Sequence, residues 1–255
     1  RHIASESGKN LKKCVLELGG NDAYIVFADS DVKRAAQRCF DGRIVNTGQS
    51  CISAKRFLVE ESVEQEFLHE LRFHLESAVM GNPLSKETKI APVAREDQKK
   101  KLQEQLDVCV KEGAKIFYQK QVPPPLPKGG SFFPPTIVRA VSPKGNAFTD
   151  EIFGPIFLVT TFKTEDEAIR LANQSPYGLG GAVFSNDSKK TRRVAEQMDT
   201  GSIALNDFFR SAPERPFGGV KESGYGRELG PEGFWEFLNL KVLVPPAAAK
   251  TPAVE

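Results

Sequence analysis

"AYIVFADSDVKRAAQRCFDGRI", Ala23 to Ile44, decides the fold. Its opening residues are apolar, aromatic or β-branched, the composition of a short buried strand. The polar "DSD" at 29–31 ends that run, and Val32, Ala35, Ala36, Cys39, Phe40 and Ile44 then recur on one helical face. Cys39 belongs to this stripe and reads as a small core hydrophobe. Strand followed by amphipathic helix is the repeating step of an α/β protein with a largely parallel sheet.

The same alternation extends in both directions. "CVLEL" (14–18) precedes the opening strand and "KRFLV" (55–59) follows the helix. Ser62-x-x-Gln65 is a capping signature for a helix to about Val79. Another helix is expected from about Glu96 to Glu112, stopped at Gly113, with Cys109 beside Leu102, Leu106 and Val110 in its core stripe. "AKIFYQ" (114–119) reads as a strand, whereas "VPPPLPKGG" (122–130) must be a loop because consecutive prolines cannot donate to a ladder. "PIFLVTTF" (155–162) leads through Thr164-x-x-Glu167 into the helix "EDEAIRLANQ". "LGGAVFS" and "GSIALN" flank a helix around Ser188 to Met198. A glycine-rich stretch (215–230), a short helix with Phe234 and Trp235, and a strand-like "LNLKVLV" (238–244) follow. The tail 245–255 has no core pattern and is expected to be disordered.

Composition narrows the function classes. With 255 residues the chain can bury a substantial core in one large domain or two small ones. A net charge of +2, with lysines and arginines scattered, gives no basis for nucleic-acid or membrane-surface binding. No apolar run approaches the roughly 20 residues that cross a bilayer. Cys14, Cys39, Cys51 and Cys109 are widely spaced, so neither a disulfide framework nor a zinc site is expected. A reducing compartment, cytoplasmic or mitochondrial, suits them. His2, His69 and His74 form no metal pattern.

Cys51 stands in "NTGQSCISAKRF" (46–57), a polar, glycine-containing segment between helix and strand patterns. Locally it reads either as an incidental thiol or as a nucleophile. A thiol of pKa about 8.5 is only a few per cent thiolate at neutrality, so the second reading needs a base or a positive field. Glu17 lies within the apolar "CVLELGG". Strand alternation turns it to solvent, or else it is a partly desolvated carboxylate able to act as a general base. Gly19 and Gly20 allow another group to approach closely.

"LELGGNDA", "NTGQSCISAKRF", "DEIFGPI" and "PFGGVKESGYGRELG", in this order and with this interval between Glu17 and Cys51, resemble the aldehyde dehydrogenase superfamily up to about Val244. The resemblance implies that Cys51 attacks an aldehyde, that hydride passes to NAD or NADP, and that Glu17 activates the water that hydrolyses the resulting thioester. It places Glu151 on the nicotinamide ribose and Phe153 beside the nicotinamide, and counts Leu18 among the cofactor-binding residues. Asn206, Gly218 and Gly219 are implied to be architectural, and Arg56 to support structure behind the catalytic loop. "NDAYIV", "GQSCISAKRF" and "SGYGRELG" are most similar to the succinate-semialdehyde dehydrogenase branch. That similarity offers Arg210 and Ser211 for the far carboxylate of a small aldehyde substrate, with Phe208 and Phe209 lining the channel; a solvated loop arginine is the other reading. The segment 238–244 resembles the strand through which family subunits form dimers or tetramers.

Complete members of that family carry a further N-terminal half with most of the coenzyme site. The resemblance therefore implies the catalytic portion of an aldehyde dehydrogenase, with its coenzyme site incomplete. "RHIASESGKN" corresponds to the helix after the phosphate-contacting turn. The implied domains are a coenzyme-domain remnant (1–20), a catalytic domain (21–230), a C-terminal helix and oligomerisation strand (231–244) and the tail. A non-oxidative short homologue that binds full-length subunits, or a residual cysteine-dependent esterase, is the alternative.

Overall fold

A computed structural model describes residues 1–123 and 130–246. Helix α1 (His2–Lys9) precedes strands β1 (Leu16–Glu17) and β2 (Ala23–Val26), then helix α2 (Val32–Ile44) and β3 (Arg56–Glu60). Helices α3 (Glu64–Ser77) and α4 (Glu96–Lys111) lead to β4 (Lys115–Gln119) and β5 (Thr136–Arg139). The short α5 (Asn146–Thr149) is followed by β6 (Ile156–Phe162), α6 (Glu165–Asn173), β7 (Tyr177–Gly178) and β8 (Gly180–Phe184). Helix α7 (Ser188–Glu196), β9 (Ser202–Leu205), β10 (Val220–Lys221), β11 (Gly224–Tyr225) and α8 (Gly230–Glu236) complete the described elements.

Local chemistry sets several of these boundaries. The Asp31 carboxylate accepts from Arg34 N and caps α2. Thr164 Oγ1 accepts from Glu167 N at the start of α6, and Glu167 reaches back to Lys163 N. Gly113, at φ +98°, ends α4 as its position predicts. The capping signature at Ser62 does not operate. Glu61–Val63 forms a 3-10 turn instead, and α3 starts at Glu64 without a side-chain cap. Strand β5 escapes sequence reading because Pro134 and Pro135 precede only four extended residues.

Seven strands form one sheet in the order β4-β5-β6-β3-β2-β8-β9. Every neighbouring pair is parallel except β4 with β5. The expected α/β fold with a largely parallel sheet is therefore present. Alternate residues face opposite layers. Tyr24, Val26, Phe57, Val59, Phe157 and Val159 pack with α2 and α3, where Cys39 is buried. Ile25, Leu58, Val138, Leu158 and Val183 pack on the other face with Leu102, Leu106, Cys109, Leu171 and Val194.

The strand expected at 238–244 does not form; these residues lie outside any strand. Leu240, Val242, Leu243 and Val244 are each more than four-fifths exposed. Within the described chain they meet no edge whose N–H and C=O groups could hold an extended segment. Most of the loop 122–130 and of the tail 245–255 lies outside the described residues. No helix among the described residues is long and apolar enough to cross a membrane.

Phe57 is the centre of an aromatic cluster on β3, stacking on Phe157 at 5.8 Å and meeting Tyr24 edge-on at 6.2 Å. Phe57→Ala is expected to cost about 3–5 kcal/mol, read as a lowered urea midpoint. A loss below about 1 kcal/mol would show that this cluster does not organise the sheet.

Candidate active site

Glu17, Leu18, Cys51, Glu151 and Phe153 lie ahead of sheet strands at one edge of the sheet, whereas Asn206 and Phe208 to Ser211 follow β9. Glu17 to Asp22 lead into β2, Cys51 into β3, and Glu151 into β6. In a parallel sheet with antiparallel flanking helices, this amino edge is also where the helices end and present unpaired carbonyls. Arg56 exploits that geometry. Fully buried at the start of β3, it donates to Leu171 O and Ala172 O in the last turn of α6, and to Asn21 O.

The loop carrying Cys51 has an unusual backbone. Asn46, Thr47 and Gly48 are successively left-handed, with φ of 48°, 58° and 78°. Asn46 tolerates this conformation and Gly48 is free to adopt it, but the β-branched Thr47 is strained there. Surrounding bonds hold it. Thr47 Oγ1 both donates to Ala91 O and accepts from Ala91 N, and Gln49 N and Nε2 donate to Asn46 O. The tight turn lowers Cys51 onto Gly20, where any added methyl would overlap the Cys51 carbonyl oxygen.

Cys51 is partly buried. Burial pushes its thiol up, Lys55 pulls it down, and the carboxylates of Asp22 and Glu17 push it up further. Glu17 is thus within electrostatic reach of the thiol despite its distance in sequence. Its environment rejects the solvent-facing reading: both carboxylate oxygens are buried and neither has a hydrogen-bond partner among the described residues. The β1–β11 pairing sets Glu17 opposite Gly224, and Oε1 rests beside Gly218. Burial raises the Glu17 carboxyl, Glu228 raises it further, and Arg227 opposes them.

Glu151 faces the same centre from the third loop. Its Oε1 accepts from Gly20 N at 3.1 Å and lies 3.6 Å from Lys55 Nζ. A side chain at Gly19 would collide with Oε2. The loop itself is clamped from behind. Arg43, fully buried, donates to Ile152 O, Gly154 O and Ile156 O. Two glutamines on one face of α4 add Gln105 Nε2 to Glu151 O at 3.0 Å and Gln98 Nε2 to Phe153 O at 2.6 Å. Leu18, 41% exposed, and Gly19 line a cavity of about 370 Å3 with Tyr177 and Tyr225. Glu151 Oε2, beside Gly19, accepts no hydrogen bond among the described residues and so keeps acceptor capacity for a hydroxyl donor.

The residues offered for substrate stand slightly apart. Phe208, Phe209 and Arg210 line a cavity of about 450 Å3 together with Asp207 and Arg215. The Arg210 guanidinium lies 4.0 Å over the Phe208 ring and 3.9 Å from Asp207, and Ser211 is exposed. Phe209 N donates to Tyr24 Oη, and its ring stacks on Phe217, next to the Gly218 that touches Glu17. Asn206, left-handed at φ 55°, exchanges amide hydrogen bonds with Ser185 N and O and so ties β9 to β8.

Sequence reasoning missed Arg43, Lys55 and Asp22, which are all buried in this edge. The available signal was a charge abutting an apolar strand, as in "AKRFLV" and "NDAYIV". Asp22 accepts from Gly180 N, and burial drives its carboxyl up to about 6 against the pull of Lys55.

A family model described as the aldehyde dehydrogenase family matches residues 1–243. The chain is 42% identical to the succinate-semialdehyde dehydrogenase [NADP(+)] of Deinococcus radiodurans over 94% of its own length and 50% of that protein. It is 36% identical to succinate semialdehyde dehydrogenase [NAD(P)+] Sad of Escherichia coli, over 94% and 52% respectively. The crystal structure of Staphylococcus aureus betaine aldehyde dehydrogenase in complex with NAD+ superposes with a TM-score of 0.89 at 37% identity, covering 92% of this chain and 47% of that one. The chain therefore spans about half the length of the relatives it matches.

The contact between Gly20 and the Cys51 carbonyl makes a local prediction. Gly20→Ala is expected to cost about 1–3 kcal/mol through overpacking and to change the alkylation rate of Cys51 but not of Cys14. Gly8→Ala, which meets open space on α1, is expected to be neutral or stabilising by up to about 1 kcal/mol. Equal behaviour of the two variants in thermal melts and peptide mass spectrometry would contradict the contact.

Proposed function

As this chain belongs to the aldehyde dehydrogenase family, we propose that Cys51 and Glu17 carry the covalent chemistry of oxidising an aldehyde to a carboxylate with NAD(P)+ as acceptor. One observation carries the assignment: a buried carboxylate with no hydrogen-bond partner among the described residues lies within electrostatic range of a part-buried thiol. A structural glutamate would have its oxygens paired. A general base needs a free lone pair and an elevated pKa, and Glu17 has both.

The Cys51 thiolate attacks the aldehyde carbon, forming a C–S bond and leaving the charge on the former carbonyl oxygen. Glu151, Phe153 and Leu18 are the residues that would hold the nicotinamide end of the coenzyme, which would supply a hydride acceptor. With that acceptor bound, the C–H bond of the adduct would break, its hydride would pass to the acceptor, and a thioester would be left on Cys51. Glu17 then takes a proton from water, the hydroxide attacks the thioester carbon, and the C–S bond breaks to return thiolate and release the acid. Lys55 Nζ, bonded to the Cys51 carbonyl oxygen, keeps the nucleophile's backbone fixed through both covalent steps.

Succinate semialdehyde is the substrate we favour, supported by the printed names of the relatives and by the two arginines of the Phe208–Phe209 cavity. Arg210 would take the far carboxylate, with Ser211 beside it. NAD and NADP both remain in the proposal, because the relatives are named for NADP(+) and NAD(P)+ and the S. aureus structure holds NAD+. Residues 1–20 form the coenzyme-side flank, 21–230 the catalytic domain, and 231–244 a surface for a second subunit, supported by the exposure of Val242 to Val244.

Cleavage of an activated ester needs no coenzyme and tests the pair directly. Cys51→Ser is expected to abolish the acylation burst, and ester cleavage at the original rate would overturn the nucleophile assignment. Glu17→Gln is expected to act in two opposite directions. Removing its negative charge lowers the Cys51 thiol pKa and speeds alkylation near neutrality, while deacylation slows by about 10²–10⁴. For the substrate, succinate is expected to protect Cys51 from alkylation. Arg210→Ala should weaken that protection by about 10-fold or more, the worth of a charged hydrogen bond; unchanged protection would remove Arg210 from the site.

A further inference from the structure

Among the described residues, Lys55 is the lysine whose side chain is completely buried. Its ammonium donates to Ser50 O at 2.9 Å and Cys51 O at 2.7 Å, and stands 3.6 Å from Glu151 Oε1. A neutral amide could brace a loop carbonyl at far smaller desolvation cost than an ammonium. What only a cation does here is bond the nucleophile's backbone and attract the opposing glutamate at once. The Lys55 chain spans the gap between the loops before β3 and β6, and Gly20, bonded to Glu151 and packed on the Cys51 carbonyl, closes the triangle from the loop before β2.

We propose that Lys55 is a positioning residue of this site, one buried ammonium that locks the Cys51 loop to Glu151 and sets the electrostatic field at the thiol. The proposal rests on Cys51 as nucleophile, but its test reads the thiol rather than turnover. The facing charges fix the signs. At Cys51, Lys55 favours the thiolate while Asp22 and Glu17 oppose it. At Lys55, burial and, to a smaller extent, Arg43 lower the ammonium, Asp22, Glu151 and the Cys51 thiolate oppose them, and the balance leaves it at about 8. The cation that favours the thiolate is therefore present below about pH 8 and is lost above it.

The experiment is the pH profile of Cys51 alkylation by iodoacetamide in the 255-residue chain, quantified by peptide mass spectrometry with Cys14 as internal reference. Lys55→Gln keeps hydrogen-bond donors without charge, and Lys55→Arg keeps charge. Lys55→Gln is expected to slow Cys51 alkylation about threefold or more below pH 8, where the ammonium is present, the effect of half a pKa unit, and to leave the rate unchanged well above it. Lys55→Arg is expected to keep the original rate below pH 8. A purely structural brace predicts no charge-dependent rate difference between the two folded variants below pH 8, and that result overturns the proposal.

Should Lys55→Gln fail to fold, carbon-13 labelling at lysine Cε reads the same coupling in the unaltered chain. One lysine resonance should titrate near 8 and move upward when Cys51 carries a carboxymethyl rather than a carboxamidomethyl group; an unmoved midpoint overturns the proposal. If Cys51→Ser leaves ester cleavage intact while the charge-dependent rate difference stands, it is the proposed function that fails and not the electrostatic role of Lys55.

Discussion

Three cations are buried side by side on the amino edge of the sheet, and each spends its N–H groups mainly on backbone carbonyls. Arg43 takes Ile152, Gly154 and Ile156; Lys55 takes Ser50 and Cys51; Arg56 takes Asn21, Leu171 and Ala172. Burying each ion costs several kcal/mol, and a buried carbonyl left without its donor costs about 1–3 kcal/mol. The two penalties offset one another only when the loops take one arrangement. Loop geometry at this edge is therefore a consequence of charge burial, and the hydrophobic layers supply the rigid frame that makes burial possible.

The acids of the same edge are treated differently. Among the described residues, Glu151 is engaged on one oxygen and open on the other, Asp22 is bonded on one and bare on the other, and Glu17 is unbonded on both. The doubly wound pattern directs ligands to the carboxyl ends of strands; the loops that hold Glu17, Cys51 and Glu151 instead precede their strands. Of the three cations, Arg56 uses a helix C-terminus at this edge, taking Leu171 O and Ala172 O of α6, while Arg43 and Lys55 take loop carbonyls.

Much of the frame was legible in sequence. The stripe Val32 to Ile44, the apolar cores of β2, β3, β6 and β8, and the Thr164 cap each announce themselves within a few residues. Ser62 misled because a capping signature also fits a 3-10 turn, whereas 238–244 carries strand propensity but has no partner strand among the described residues. The Glu17–Cys51 relation is invisible locally, since the β1–β11 pairing and the crossing to β3 create it. Family resemblance singled out those two residues as an expected pair, while the bracing by Arg43, Lys55 and the α4 glutamines arises from tertiary contacts that no local pattern shows.

The raised thiol of Cys51 also bears on chemical durability. Peroxide attacks thiolate, not thiol, and the first product can oxidise onward to acids that are not reversed. A site that holds sulfur mainly protonated between encounters, yet keeps a cation 4 residues along the chain bonded at its backbone, rations its own reactivity. Partial burial thus shields the sulfur from oxidants, at the expense of a smaller reactive fraction at rest.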